Sequence, residues 1–167
     1  MWAMLALRFA AMAAIAVWIG GLLALGAIAA PAIFDVVAAR GISDARLVSG
    51  AIFGEVLRRF HLVAYGCGAV LLLTLVIRRI LGPRPRHFAL RFGLATVMLA
   101  AALYAGLVLQ PGIADLQRQI GPTVSASSLP PDDARRLAFG RLHGRSAMVQ
   151  FVPIVGGLLL IFWELGD

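Results

Sequence analysis

Along its 167 residues the chain alternates between long apolar stretches and shorter polar ones. Residues 9–34, 60–77, 92–109 and 147–163 are nearly free of charge, and each approaches the ~20 residues that carry a helix across hydrocarbon. Lipid offers no water to backbone amides, so runs of this length predict helices. Turn signals divide them: LGPRPRH follows the second run and QPGIADLQRQIGPTVSASSLPPDDARR the third. The pattern predicts an all-α integral membrane protein, a single four-helix domain over residues 1–167. The AIAA before Pro31 looks like a signal-peptidase site, but the first run is longer than a signal h-region and reads as a membrane helix.

Two polar segments keep a helical period. In ISDARLVSGAIFGEVLRRF the apolar residues Leu47, Ile52, Val56 and Phe60 recur on one face, and PPDDARRLAFGRLH opens with proline and aspartate, as helices often do. Spans two and four are therefore expected to continue as helices beyond the membrane. In span one, Ala16, Gly20, Ala24, Ala27 and Pro31 form a stripe of small residues expected to let a neighbouring backbone approach.

Composition agrees with the pattern: 61% hydrophobic and 14% charged residues, with a mean hydropathy of +0.92, exclude an ordinary water-facing surface. All 15 basic residues are arginine and the formal charge is +7. These arginines lie between apolar spans and not along one face with interleaved aromatics, so anionic lipid headgroups are the expected counterions and nucleic acid is not. The short turn from 78 to 91 holds Arg78, Arg79, Arg84, Arg86 and Arg91 and no acid. Although the other loops together carry more arginines, the density in this turn places it, and both termini, in the cytoplasm of a bacterial inner membrane. Cys67 is the only cysteine, which excludes an intramolecular disulfide or a CxxC site.

The chain also repeats itself. Spans one and three end in PAIFD (31–35) and PGIAD (111–115), an offset of 80, and spans two and four begin with Arg59-Phe60-His61 and Arg141-Leu142-His143, an offset of 82. Phe53-Gly54 and Phe139-Gly140 are a third match, but at an offset of 86. Spans one and three run the same way, so the two hairpins form parallel repeats about an axis along the membrane normal. That symmetry places His61 and His143 at one depth and groups Asp35, Asp115, Arg59 and Arg141 around them. Gln150 shares a helix face with His143, and an amide in hydrocarbon is expected to turn into the bundle.

Two imidazoles on facing helices can serve as axial ligands of a haem b or hold a copper ion. The expected ligands are His61 and His143, with Gly66, Gly68 and Gly144 leaving room for a porphyrin and Arg58, Arg59, Arg141 and Arg145 meeting its propionates. Copper also favours thioether, but Met148 alone among the methionines lies near this level. Glu55 either joins the cluster or pairs with Arg58 or Arg59. Such a site would serve binding, electron transfer or metal handling. Two other readings compete: an accessory subunit, alone or in a homo-oligomer or larger membrane complex, whose polar cluster fastens the hairpins together or docks a partner; and a small-solute or metal transporter, which calls for a broken helix that Pro31, Pro111 and Pro153 lie too near span ends to supply. No enzymatic motif is present, and Asp132-Asp133 after two prolines reads as a helix start.

VWIGGLLALGAIAAPAIF (17–34), FGEVLRRFH and FGRLHGRSAMVQ resemble the transmembrane-protein-205-like family, whose bacterial members are known as a domain of unknown function. More distantly, Trp18-Ile19-Gly20-Gly21 is similar to the copper-resistance-protein-D group. The resemblance implies a compact four-helix membrane protein, with links to platinum-drug resistance in eukaryotic relatives and to copper in the distant group.

Overall fold

A computed structural model describes residues 2–42, 44–82 and 86–166, which leaves Arg84 of the basic turn outside the described residues. Four helices account for most of them: α1 (Trp2–Ala39), α2 (Ala45–Leu81), α3 (Phe88–Ile120) and α4 (Ala134–Leu165). Each is long and apolar enough to span a membrane, and no strand occurs among the described residues. At 1.5 Å per residue they run roughly 48–57 Å, well beyond the ~30 Å of a hydrocarbon core. The excess is not confined to spans two and four: α1 continues to Ala39 and α3 to Ile120, so QPGIADLQRQI, expected to open a loop, is helix.

The reason lies at the prolines. Proline has no N–H to give the carbonyl four residues back, and its ring crowds that carbonyl. Both helices answer with one wide turn: residues Leu25–Ala29 and Ala105–Leu109 are π-helical, with Ala30 N–H bonding Leu25 O and Gln110 N–H bonding Ala105 O. The chain then passes through Pro31 and Pro111 and resumes as α-helix. A glycine, Gly26 or Gly106, stands five residues before each proline. Pro153 has no such glycine and leaves α4 in regular α geometry. The two wide turns are 80 positions apart, so the repeat is present in the backbone as well as in the letters.

The helices pack in a closed ring, α1 on α2, α2 on α3, α3 on α4 and α4 on α1. The continuous core, including Ile15, Trp18, Leu71, Leu75, Ala95, Met98 and Leu160, fills the half nearer the basic turn. Close approach there depends on glycines whose missing side chain is replaced by a neighbour: Phe60 lies flush on Gly21, and Leu99 Cδ1 would stand 2.8 Å from a Cβ at Gly68. The small-residue stripe of span one takes no part. Ala16, Gly20, Ala24, Ala27 and Pro31 are all exposed, because α1 turns Trp18, Ile19 and Leu22 inward, and Gly21 makes the close contact instead.

At the basic-turn end one carboxylate gathers all four helices. Glu164 of α4 is 2.9 Å from Arg8 Nε of α1, Arg78 Nη1 of α2 and Arg91 Nη1 of α3. Arg91 Nη2 also donates to Trp163 O at 2.6 Å.

Candidate functional site

About 25 Å along α2 from this clasp, or 17 residues at 1.5 Å each, stands His61. The helix presents it inward with Leu57, Ala64 and Leu71, and only 5% of it is exposed. Its Nδ1 lies 2.8 Å from the carbonyl oxygen of Leu57, one turn back. A carbonyl can only accept, so neutral His61 carries its proton on Nδ1 and offers a lone pair at Nε2. That nitrogen makes no hydrogen bond among the described residues. One turn further on, the Tyr65 ring centres 6.1 Å from the imidazole. Both rings press on Gly106 in the wide turn of α3: a Cβ there would lie 2.9 Å from His61 Cγ and collide with the Tyr65 hydroxyl.

His61 borders a small cavity that all four helices line. Trp18 and Leu22 come from α1, Phe60, His61 and Ala64 from α2, Ala102 and Ala105 from α3, and Gln150 and Pro153 from α4. Its volume is about 10 Å³, room for roughly one water molecule. Three of the lining residues carry a polar group, His61, Gln150 and Trp18, the last only 1% exposed. Neither the amide nor the indole N–H is hydrogen-bonded among the described residues. Gln150 therefore turns into the bundle, as its place in an apolar span predicts.

His143 does not accompany it. The ring is exposed and stacks on Phe139 at 6.3 Å and 6°. His143 precedes Gln150 by two helical turns, about 10 Å along the axis, so the two share a face but not a height. The register between α2 and α4 explains why. Arg78 and Glu164, which meet, are 86 positions apart, and Gly68 and Gly156, packed on the adjacent Leu99 and Met98, are 88 apart. The phenylalanine-glycine match, with its offset of 86, follows this register. The arginine-x-histidine match at 82 does not, and α4 carries its histidine beyond the level of His61.

The remaining predicted residues are dispersed. Glu55 accepts from Arg58 Nε and Arg59 Nε at 2.7 Å, both within α2. Asp115 pairs with Arg118 of its own helix. Asp35, Arg141 and Arg145 are exposed and make no ion pair among the described residues. The hairpins are thus not joined by Asp35 and Asp115 reaching Arg59 and Arg141: Arg59 and Asp115 are held by helical neighbours four and three residues away, and Asp35 and Arg141 stay exposed. The joining role belongs to Glu164. Its signal in the sequence was one acid among Arg8, Arg78 and Arg91 at the same end of the bundle. The glycines make no slot for a porphyrin either: Gly68 is filled by Leu99, while Gly66 and Gly144 face open space. Met148 is 76% exposed, and no group of three His, Cys, Asp or Glu that could hold a metal occurs among the described residues.

The fold and cavity define a class: a four-helix membrane bundle of two hairpin repeats with a histidine-lined cavity between them. Residues 13–122, more than half the chain, match the family model described as domain of unknown function DUF4149, and the chain belongs to that family. The match takes in both wide turns, Trp18, His61 and Gly106, and ends before α4 begins. No curated protein and no solved structure matches the chain.

Proposed function

We propose that the protein moves a small polar solute or ion across the membrane and binds it in the His61 cavity. One observation carries this reading: the two repeats each break a membrane helix at the same place, Gly26 to Pro31 and Gly106 to Pro111, and a four-helix cavity with a buried imidazole lies beside one of the breaks. Interrupted helices at corresponding positions of two repeats, with a polar site at their interface, are the arrangement transporters use to move one half against the other. Single π turns inside α-helices are frequent at functional sites. Ionisable groups so deep in an apolar bundle are retained for function more often than for stability. The core from Trp18 to Leu160 closes the route from the cavity toward the clasp, so passage requires that the halves rock.

The arginine-rich turn supports placing the clasp end and both termini on the cytoplasmic side of a bacterial inner membrane, with the exposed arginines against anionic headgroups. The resemblance of Trp18-Ile19-Gly20-Gly21 to the copper-resistance-protein-D group would make a metal ion one candidate solute, to which the lining offers a single imidazole. A haem held between His61 and His143 has less support, because one ring is enclosed and the other is exposed.

Access from both faces is the test. In a Cys67→Ser, Ala105→Cys protein in liposomes, a small charged thiosulfonate should modify position 105 when added on either side. Modification from one side only would make the cavity a binding site without passage, and none from either side would leave a scaffold.

A further inference from the structure

We infer that the ion taken up at this site is a proton, carried on Nε2 of His61. The inference rests on the transport reading and gives its cargo.

The bond to Leu57 O commits Nδ1 as a donor, so Nε2 is the one position on the ring that can gain or lose a proton without breaking the helix contact. The His61 ring borders a space the size of one water molecule, and a water there would be the partner for exchange. Among the described residues that line the cavity, no other is charged or titratable. The residues lining the cavity from α1, α3 and α4 are Trp18, Leu22, Ala101, Ala102, Ala105, Val149, Gln150 and Pro153; on α2 the Tyr65 ring stands 6.1 Å from the imidazole, and Arg58, three residues before His61, is paired with Glu55. A metal cation would find one nitrogen and no further anionic or soft ligand, whereas a proton needs only the lone pair.

The balance is simple. Water carrying an extra proton gives it to Nε2; the neutral ring becomes an imidazolium with both nitrogens protonated, and a neutral water remains. On release the same nitrogen returns the proton to water, and the Nδ1–H is unchanged. A relay through the ring would need Nδ1 to let its proton go, but that proton faces a backbone carbonyl. His61 is therefore a carrier and not a wire. No carboxylate is among the described residues lining the cavity, and a lone charge in so small an apolar space is unfavourable. Protonation thus favours a wetter, opened site and deprotonation the closed one. Gly106 is where such a change reaches the backbone, since both rings rest on the wide turn.

The test is proton uptake by liposomes holding the full-length protein and an entrapped pH dye, driven by a potassium diffusion potential with valinomycin. Wild-type protein should acidify the lumen at least tenfold faster than empty liposomes. His61→Gln should fall to the empty rate, Gly106→Ala should fall several-fold, and His143→Gln should match wild type. Histidine nitrogen NMR on a His87→Gln, His143→Gln protein covers the case in which His61→Gln fails to fold: Nε2 should change from unprotonated to protonated as the pH is lowered. Uptake no faster than empty liposomes, uptake that survives His61→Gln, or an Nε2 that never protonates would each overturn the assignment. Two-sided modification of position 105 with no proton uptake would remove the proton and leave transport standing; one-sided modification would remove transport itself.

Discussion

The two hairpins carry the same backbone device in different surroundings. In the second, the wide turn of α3 places Gly106 flush against His61 and Tyr65; in the first, Gly26 stands at the equivalent place in α1 and would have nothing within 4 Å of an added Cβ. The histidines differ in the same sense, His61 enclosed at 5% exposure and His143 outside, stacked on Phe139. Backbone geometry is set locally, by a glycine and a proline five residues apart, and so it survives in both copies. What a side chain meets is set by register between helices, and α2 and α4 align nearer an offset of 86 to 88 than of 82. One site results where symmetry alone would give two.

The largest test concerns the residue that crosses the divide. Glu164 belongs to the second hairpin but holds Arg8 and Arg78 of the first as well as Arg91 of its own. Removing one partner from a buried ionic cluster leaves charge uncompensated, typically at a cost of about 3–5 kcal/mol. Glu164→Leu should lower the unfolding free energy in detergent by that order, and a loss under about 1 kcal/mol would show that the hairpins cohere by apolar packing alone. Next come the histidines. His61→Ala empties a buried position and should cost about 2–3 kcal/mol, while His143→Ala on the surface should stay within about 0.5 kcal/mol. Equal losses would restore the symmetric site. The glycines follow: Gly106→Ala forces a methyl into His61 and Tyr65, an overpacking worth about 1–3 kcal/mol, but Gly26→Ala should be neutral or stabilising by up to about 1 kcal/mol, since alanine is the better helix former.

Much of the fold was legible because hydrophobic runs and the helical period act locally, residue by residue. Pro31 and Pro111 read as ends because a proline usually stops a helix, whereas the chain takes a wide turn after the glycine five residues earlier and continues. Part of the site was legible too: Gln150 had to face inward, and His61 begins an apolar run. His143 was misplaced for a physical reason. A face repeats every seven residues or so, and periodicity therefore fixes direction around a helix but leaves height along it open. The phenylalanine-glycine match held the missing height. Trp18 offers no charged letter to notice, and Glu164 shows its role only once Arg8, Arg78 and Arg91 from three other helices are brought to it.

The smallest test concerns how the second helix of each hairpin starts. Asp133 caps α4: its Oδ1 accepts the N–H of Arg135 at 2.8 Å, and its Oδ2 takes Arg135 Nη2 at 2.8 Å. Asp44 stands at the same place before α2, 89 positions earlier, and makes no capping bond. The hydrogen bonds from the Arg135 side chain, and then from its backbone N–H, hold the Asp133 carboxyl down to about 2, from an ordinary value of 3.8. A depressed carboxyl stabilises the fold above the unfolded value, and that contribution is lost as pH falls from about 3.8 through about 2. Hydrogen exchange, corrected for intrinsic rates, should therefore show the first turn of α4 loosening across this window. Asp133→Asn keeps an acceptor for the helix N–H but cannot titrate, so the pH dependence should vanish while most of the protection remains. Asp44→Ala should leave protection in the first turn of α2 unchanged, because there is no cap to remove. If α4 frayed no more in acid than its Asp133→Asn form, the cap would owe nothing to the carboxylate charge, and this difference between the hairpins would reduce to geometry.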